Sequence, residues 1–340
     1  MRVLIAGSDE VWSLERYYAR YLKDAGVQIY TIPVQSIFYS YYNKRLINKV
    51  LFKLGFSRIG RVIESRMRAM VEETRPDILW VFKGMELSPE LLIWIRGRGI
   101  RLVNYNPDNP FLFSGKGSGN KNVTDSIGLY HLHFSYDRSI CNKISQDYDI
   151  PCRILPFGFE LPEELYRHCR EQKETVKLCF LGNPDEDRAA FISRLADDFP
   201  IDVFGTGWGN FVRHEKITIY PPVYGEDFWK TLCRYRVQLN LMRVHNLHSH
   251  NMRTFEIPGV GGIGLLPRTP DHEAFFEEGK EVFLYGDMPE CKEKVAVLLK
   301  MTPGEATEIR EAARSRSVGS GYTYHDRALQ ALAEMRKLQG

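Results

Sequence analysis

Pro156–Pro162 reads PFGFELP, with two prolines and a glycine set among the apolar residues Phe157, Phe159 and Leu161. This stretch interrupts a regular alternation of strand and helix signals and predicts a hinge. Before it, Arg2–Ala6, Val27–Ile32, Asp77–Phe82, Arg101–Tyr105, Leu129–Ser135 and Arg153–Leu155 are short apolar runs with the look of buried strands. Between them lie stretches of helical spacing at Leu14–Ala25, Leu46–Leu54 and Ser57–Glu73, and Ser88-Pro89 reads as an N-cap with proline at the first helical position. After PFGFELP the alternation restarts. Strands are expected at Lys177–Leu181, Ile201–Phe204, Ile217–Ile219, Val237–Leu241, Ile263–Leu266 and Val282–Tyr285, with helices between them and a last amphipathic helix at Tyr324–Lys337. Such alternation implies parallel sheets covered by helices. The expected fold class is α/β, with two Rossmann-like domains, 1–157 and 158–320, and a terminal helical segment, 321–340. A ligand cleft is expected between the domains, at the carboxyl ends of both sheets.

Composition narrows the function classes. The 340 residues suit two domains. No apolar run approaches the ~20 residues that span a bilayer, and MRVLIAGSDE reads as a first strand rather than a secretion signal. The expected location is therefore the cytoplasm. The six cysteines contain no CxxC pair, so neither a zinc knuckle nor a redox motif is indicated, and reduced thiols are expected. The net charge of +3 is uneven. Residues 1–157 carry 22 Lys+Arg against 15 Asp+Glu, whereas 158–340 carry 24 against 28, which suggests that the first half meets an anionic partner.

Several segments carry candidate chemistry. Cys179–Arg188 (CFLGNPDEDR) is a strand running into Gly182 and Asn183, a polar loop and a helix start. Free N–H groups at a helix start favour anions, and Arg188 offers a bidentate phosphate contact; an ordinary strand–loop–helix turn reads the same way. Asp185-Glu186-Asp187 resembles a metal-binding DxD but equally suits a helix N-terminus, so no metal is expected there. Ile201–Gly209 (IDVFGTGWG) ends a strand in a glycine turn that includes Gly205. Gly259–Gly264 (GVGGIG) matches GxGxxG literally, yet a helical segment precedes it and a strand follows, the reverse of the dinucleotide fingerprint. Its Gly261 and Gly262 offer close backbone approach to a ligand.

Asn251–Glu256 (NMRTFE) is the sharpest segment, with Asn251, Arg253 and Glu256 just ahead of that turn. A carboxylate suits two ribose hydroxyls and a guanidinium suits a diphosphate; an Arg–Glu pair on a helix surface is the plain alternative. Tyr224 is a further candidate donor contact. His245, His248 and His250 form H-x-x-H-x-H, a spacing unlike common zinc sites; sugar or phosphate contacts are expected instead. In the first half, Asp108 in NYNPDNP, 104–110, either orients a hydroxyl and acts as a base or caps a turn.

In order along the chain, PDILWVFKG (76–84), NYNPDNP (104–110), HFSYDRS (133–139), ILPFGFE (154–160), FLGNPDEDR (180–188), VFGTGW (203–208) and NMRTFEIPGVGGIGLLP (251–267) resemble the CgeB-like spore-maturation and surface-polysaccharide glycosyltransferases of GT-B fold. The resemblance implies transfer of a sugar from a nucleotide-sugar donor to a glycan, lipid-linked or protein acceptor, without a metal or other cofactor. It also implies a final helix that crosses back onto the first domain. In the wider group with an E-x7-E motif, the second Glu, which holds the ribose, falls on Glu256. The first falls on His248, and Asn183 stands where an Arg is frequent, leaving Arg188 and Arg253 as the basic pair. Asp108 and His248 are the candidate catalytic residues. A sugar-nucleotide epimerase and a non-catalytic binding or assembly protein on the same scaffold are the rival readings.

The stretch Lys44–Arg68 holds eight Lys and Arg against the single acid Glu64, beside apolar Leu46, Val50, Leu51 and Leu54. Either that apolar face packs on the sheet with its charges solvated, or the region lies on an anionic membrane as a peripheral contact. Nucleic acid is not an expected partner, because no stacking platform accompanies the charges.

Overall fold

The computed structural model describes residues 1–113, 118–243 and 247–339. They form two compact units, one of Met1–Pro156 with Tyr324–Gly340 and one of Phe157–Thr323.

In the first unit, β1 (Arg2–Ala6), β2 (Gln28–Ile32), β3 (Ile78–Phe82), β4 (Arg101–Asn106), β5 (Leu132–Ser135) and β6 (Cys152–Ile154) form one sheet in the order β2-β1-β3-β4-β5-β6. Every pairing is parallel. Helices shield a parallel sheet from water, so its strands are apolar on both faces, and every residue of β3 is buried. The helix Ile59–Thr74 buries Ile59, Ile63, Met67 and Val71, the spacing of one helical face. The chain's last helix, Tyr324–Arg336, lies against Leu14–Asp24. Tyr324 stacks on Tyr17 at 4.9 Å between ring centroids, and His325 meets Tyr21 edge-on at 5.1 Å.

The second unit repeats the plan. Its strands β7 (Thr175–Leu181), β8 (Ile201–Phe204), β9 (Ile217–Tyr220), β10 (Tyr235–Leu239), β11 (Gly264–Pro267) and β12 (Phe283–Tyr285) run parallel in the order β12-β11-β10-β7-β8-β9. Leu178, Phe180, Ile192, Val203, Trp208, Val237, Leu265 and Val295 belong to its core. One buried guanidinium is matched. The Arg236 side chain, 2% exposed, is paired with Glu174 and donates to the Met301 carbonyl at 2.6 Å, and Arg310 reaches the same carboxylate at 2.7 Å. In each unit the chain leaves its first strand in one direction and later returns to the other side. The reversals fall between β1 and β3 and between β7 and β10, where ligands bind in open α/β sheets.

The division between the units falls at Pro156 and Phe157, the start of PFGFELP, where Phe157, Phe159 and Leu161 are buried and the Phe159 N–H donates to the Tyr322 carbonyl at 3.1 Å. Several expectations are corrected. Cys141 and Cys152 form a disulfide rather than two free thiols. The helix Arg138–Tyr148 feeds directly into β6 and brings their Cα atoms to 5.1 Å, inside the usual range for a bridge. Cys169, Cys179 and Cys291 are free and buried. Helices at Val34–Lys44, Glu163–Arg170 and Pro270–Phe275 add to those anticipated. The basic helix Leu46–Lys53 buries no residue, so its apolar side does not pack on the sheet.

Two buried histidines are held neutral. His133 donates from Nε2 to the Ile127 carbonyl at 2.9 Å, and burial pulls its pKa down to about 4. Burial does the same to His272, again to about 4. A depressed pKa means that the stabilisation is fully present above the unfolded value of about 6.5 and is lost as pH falls towards 4. The urea midpoint should therefore fall between pH 7 and pH 5, on the order of 1–2 kcal/mol per histidine. His272→Gln should remove its share of that dependence. A midpoint that does not move over this range contradicts the assignment.

Candidate functional site

The reversal between β7 and β10 opens a cavity of about 270 Å³ in the second unit. Gly182 and Asn183 follow β7, and Asn240 and Leu241 follow β10. The start of the helix Arg253–Gly259 closes a third side. Of the sequence candidates, Gly182, Asn183, Arg188, Asn251 and Arg253 line this cavity together.

Its character is cationic. Arg188 donates to the carbonyls of Leu241 at 2.7 Å and Asn183 at 3.3 Å, while its buried Nε makes no hydrogen bond. Burial lowers the Arg188 pKa to about 10, and the neighbouring guanidiniums of Arg243 and Arg253 push the same way against Asp185. The carboxylate of Asp185 lies 3.7 Å from Arg188 and 3.9 Å from Arg243. Arg253 is ion-paired with Glu256, donates to the Leu181 carbonyl at 3.2 Å and lies 4.4 Å from the centroid of the Phe228 ring. A buried guanidinium with one N–H free of any hydrogen bond, crowded by two further guanidiniums, suits a multiply charged anion.

The helix Glu186–Ala196 does not supply that site. Asp185 caps it by accepting from the Arg188 N–H at 2.9 Å, and Glu186 and Asp187 fill its first turn. These acids do the helix-capping work and oppose an anion there. An anion in the cavity would thus meet side chains rather than the helix start.

The polar floor of the cavity is fully wired. Asn251 donates from Nδ2 to Asn240 Oδ1 at 2.8 Å, and Asn240 donates to the Thr254 hydroxyl at 3.3 Å. Thr254 donates to His272 Nε2 at 2.9 Å, which requires His272 to carry its proton on Nδ1, where it donates to the Pro267 carbonyl at 2.6 Å. His250, fully buried, pairs through Nδ1 with Asp271 at 2.7 Å, and Ser249 donates to the same carboxylate oxygen at 2.7 Å. This Ser–His–Asp grouping orients the loop before Asn251. It is not a nucleophilic triad, because Ser249 donates to the aspartate rather than to the imidazole.

The other candidates lie elsewhere. Glu256 is 7% exposed and is held to Arg253 outside the cavity lining. Gly205 serves packing: a Cβ there would collide with the Gly182 carbonyl, and Asn183 Oδ1 accepts from the adjoining Thr206 N–H at 2.9 Å. Gly261 and Gly262 are also packing residues. Their N–H groups donate to the Pro258 and Ile257 carbonyls, Gly261 has φ +70°, and the space beside Gly262 is filled by Gln238. Tyr224 is 62% exposed and outside the lining. His248 is exposed, and His245 falls outside the described residues.

In the first unit, Asp108 is ion-paired with Lys83 at 2.6 Å, a poor setting for a base. Lys83 has the left-handed φ of 63°, just past the end of β3. Nearby Glu86 has a buried Oε2 with no partner, and burial raises its pKa to about 7. Glu86, Asn240, Arg243 and Phe228 went unread in the sequence, and three of the four had a signal: Glu86, Asn240 and Arg243 closely follow the carboxyl end of a strand. A larger hollow of about 840 Å³ lies at the amino end of the first sheet, lined in part by Arg75, Arg98 and Arg101; it is the end opposite to the one that binds ligands in such sheets.

Comparison with known proteins places this geometry. Residues 188–333 match a family model described as glycosyl transferase-like. No curated protein matches the chain by sequence. Sucrose-phosphate synthase from Thermosynechococcus elongatus superposes with a TM-score of 0.65 at 9% identity, covering 99% of each chain. A glycosyltransferase from Rickettsia africae gives 0.64 at 12% identity, with 99% of this chain and 98% of that one covered. The HepE protein of Anabaena, solved in complex with UDP-glucose, gives 0.64 at 9% identity over 99% of this chain and 100% of that one. The chain has the GT-B fold, and the glycosyl transferase-like match covers most of its second unit and part of the last helix.

Proposed function

We propose that the protein is a glycosyltransferase that takes a nucleotide-sugar donor in its second unit. The observation that carries this reading is the crowding of Arg188, Arg243 and Arg253 around one cavity, with the buried Arg188 Nε making no hydrogen bond, at the strand reversal of a unit that holds most of a glycosyl transferase-like match. Arg188, Arg243 and Arg253 bind the diphosphate and stabilise the charge that develops on it as the sugar departs, without a metal. Arg253 exchanges its Glu256 partner for phosphate, and the freed carboxylate accepts from the ribose hydroxyls. Asn251 orients the donor, and His248, at the position of the first Glu of E-x7-E, contacts the transferred sugar. The first unit receives the acceptor. There Glu86, with a pKa near neutrality, takes the proton of the attacking hydroxyl, and Asp108 with Lys83 orients it. The CgeB-like resemblance supports a surface-polysaccharide or spore-coat acceptor, and the UDP-glucose complex of HepE makes UDP-sugars the first donors to try.

Incubation with a panel of sugar nucleotides tests the activity. Slow donor hydrolysis or transfer, unaffected by EDTA, is expected. Epimerised sugar nucleotide would make the protein an epimerase, and no turnover of any donor would leave a binding protein.

Arg188→Ala or Arg253→Ala should weaken calorimetric binding of a nucleoside diphosphate by about 1.5–3 kcal/mol, the worth of a charge-assisted hydrogen bond. Binding of the bare nucleoside should hardly change. Equal losses for both ligands would assign the arginines a structural role.

Glu256→Gln should behave differently. It should cost nucleoside diphosphate affinity about 1–3 kcal/mol, yet leave inorganic pyrophosphate binding intact or tighter, because Arg253 loses its competing carboxylate. A parallel loss for both ligands removes the ribose assignment.

A further inference from the structure

The helix Leu46–Lys53 is attached to the first unit by few side chains. Phe52 meets Phe38 and Tyr42 edge-on at 5.2 and 5.5 Å, and Asn48 donates to the Tyr41 carbonyl at 2.7 Å. An eight-residue helix is marginal in water by itself, and none of its residues is buried. Leu46 is 81% exposed, Leu54 62% and Phe56 74%, with Ile47 and Val50 about half exposed between them. Positions 46, 47, 50 and 54 follow helical spacing, so these side chains share one face. A soluble fold gains nothing from such a cluster, which marks a contact surface.

The charge around it identifies the partner. No Asp or Glu occurs between Asp24 and Glu64, whereas Lys44, Arg45, Lys49, Lys53 and Arg58 flank or alternate with the apolar positions. None of these five makes an ion pair among the described residues; Lys49 lies over the Tyr42 ring at 5.5 Å. Long basic side chains lay their stems along an apolar face and hold their charge at its rim. Apolar tips interspersed with cations match the boundary of an anionic bilayer, where acyl chains take the tips and headgroups take the ammonium and guanidinium groups. No described helix is long and apolar enough to cross a membrane.

We infer that residues 44–58 dock the first unit onto an anionic lipid surface. The inference is independent of the glycosyl-transfer reading, and its test does not use activity. Full-length protein is co-sedimented with phosphatidylcholine vesicles containing increasing phosphatidylglycerol, at low and moderate salt. Binding should rise with phosphatidylglycerol and fall with salt. Lys49→Glu with Lys53→Glu should weaken it about thirtyfold or more, and Leu46→Ser with Phe56→Ser should weaken it at least about tenfold. Leu46, Lys53 and Phe56 are exposed and Lys49 is half-buried over Tyr42, so a nearly unchanged circular dichroism spectrum and melting temperature should accompany both losses. No binding to phosphatidylglycerol vesicles at low salt overturns the inference, as does binding indifferent to both double variants. So does a concentration-dependent dimer that the same variants dissociate without any vesicle binding by the parent protein.

Discussion

Crowding of like charge governs the second unit. Arg188, Arg243 and Arg253 stand so close around one cavity that the latter two help to lower the pKa of the first. Backbone carbonyls of Leu181, Asn183 and Leu241 and the carboxylates of Asp185 and Glu256 partly compensate. Such an arrangement is tolerable only where the backbone holds it in place. The strand reversal between β7 and β10 does this, by ending two neighbouring strands at the same level with their following loops splayed apart.

The surroundings of the cavity serve that rigidity. Gly205 lets the end of β8 press against the Gly182 carbonyl, and the indole N–H of Trp208 donates to that same oxygen at 2.9 Å. On the other side, a chain of hydrogen bonds runs from Asn251 through Asn240 and Thr254 to His272 and ends on the Pro267 carbonyl. Every donor in that chain has an acceptor only while His272 is neutral. The buried polar network therefore depends on a single proton position.

Much of the fold was legible in the sequence because parallel strands are buried on both faces. Runs such as ILWVF in β3 and LCFL at the end of β7 therefore stand out as continuous apolar stretches. The helix Val34–Lys44 did not stand out: VQSIFYSYYNK is rich in residues of modest helix propensity and buries only Val34 and Ile37. The candidate site was half legible. Gly182, Arg188, Asn251 and Arg253 announced themselves by local chemistry, but Asn240 and Arg243 reach them only through strand order, which no local pattern encodes. Glycines misled for a related reason. Gly205, Gly261 and Gly262 signal close approach, yet what approaches is Gly182, Arg310 and Gln238 of the protein itself. The Cys141–Cys152 pair also went unread, since only the turn from the helix Arg138–Tyr148 into β6 brings its partners together.

The last helix has a consequence for how the chain is made. Tyr17, Tyr18 and Tyr21, near the start of the chain, meet Tyr324 and His325, near its end, although Tyr18 also packs on Trp80, Phe82 and Tyr105. During synthesis the first unit emerges early but keeps this face bare until the whole second unit has followed it from the ribosome. The second unit, Phe157–Thr323, has all its strands in hand before the final helix appears. Completion of the two units is thus inverted relative to their order in the sequence, and a chain stopped just short of Tyr324 would leave the earlier-made unit as the unfinished one.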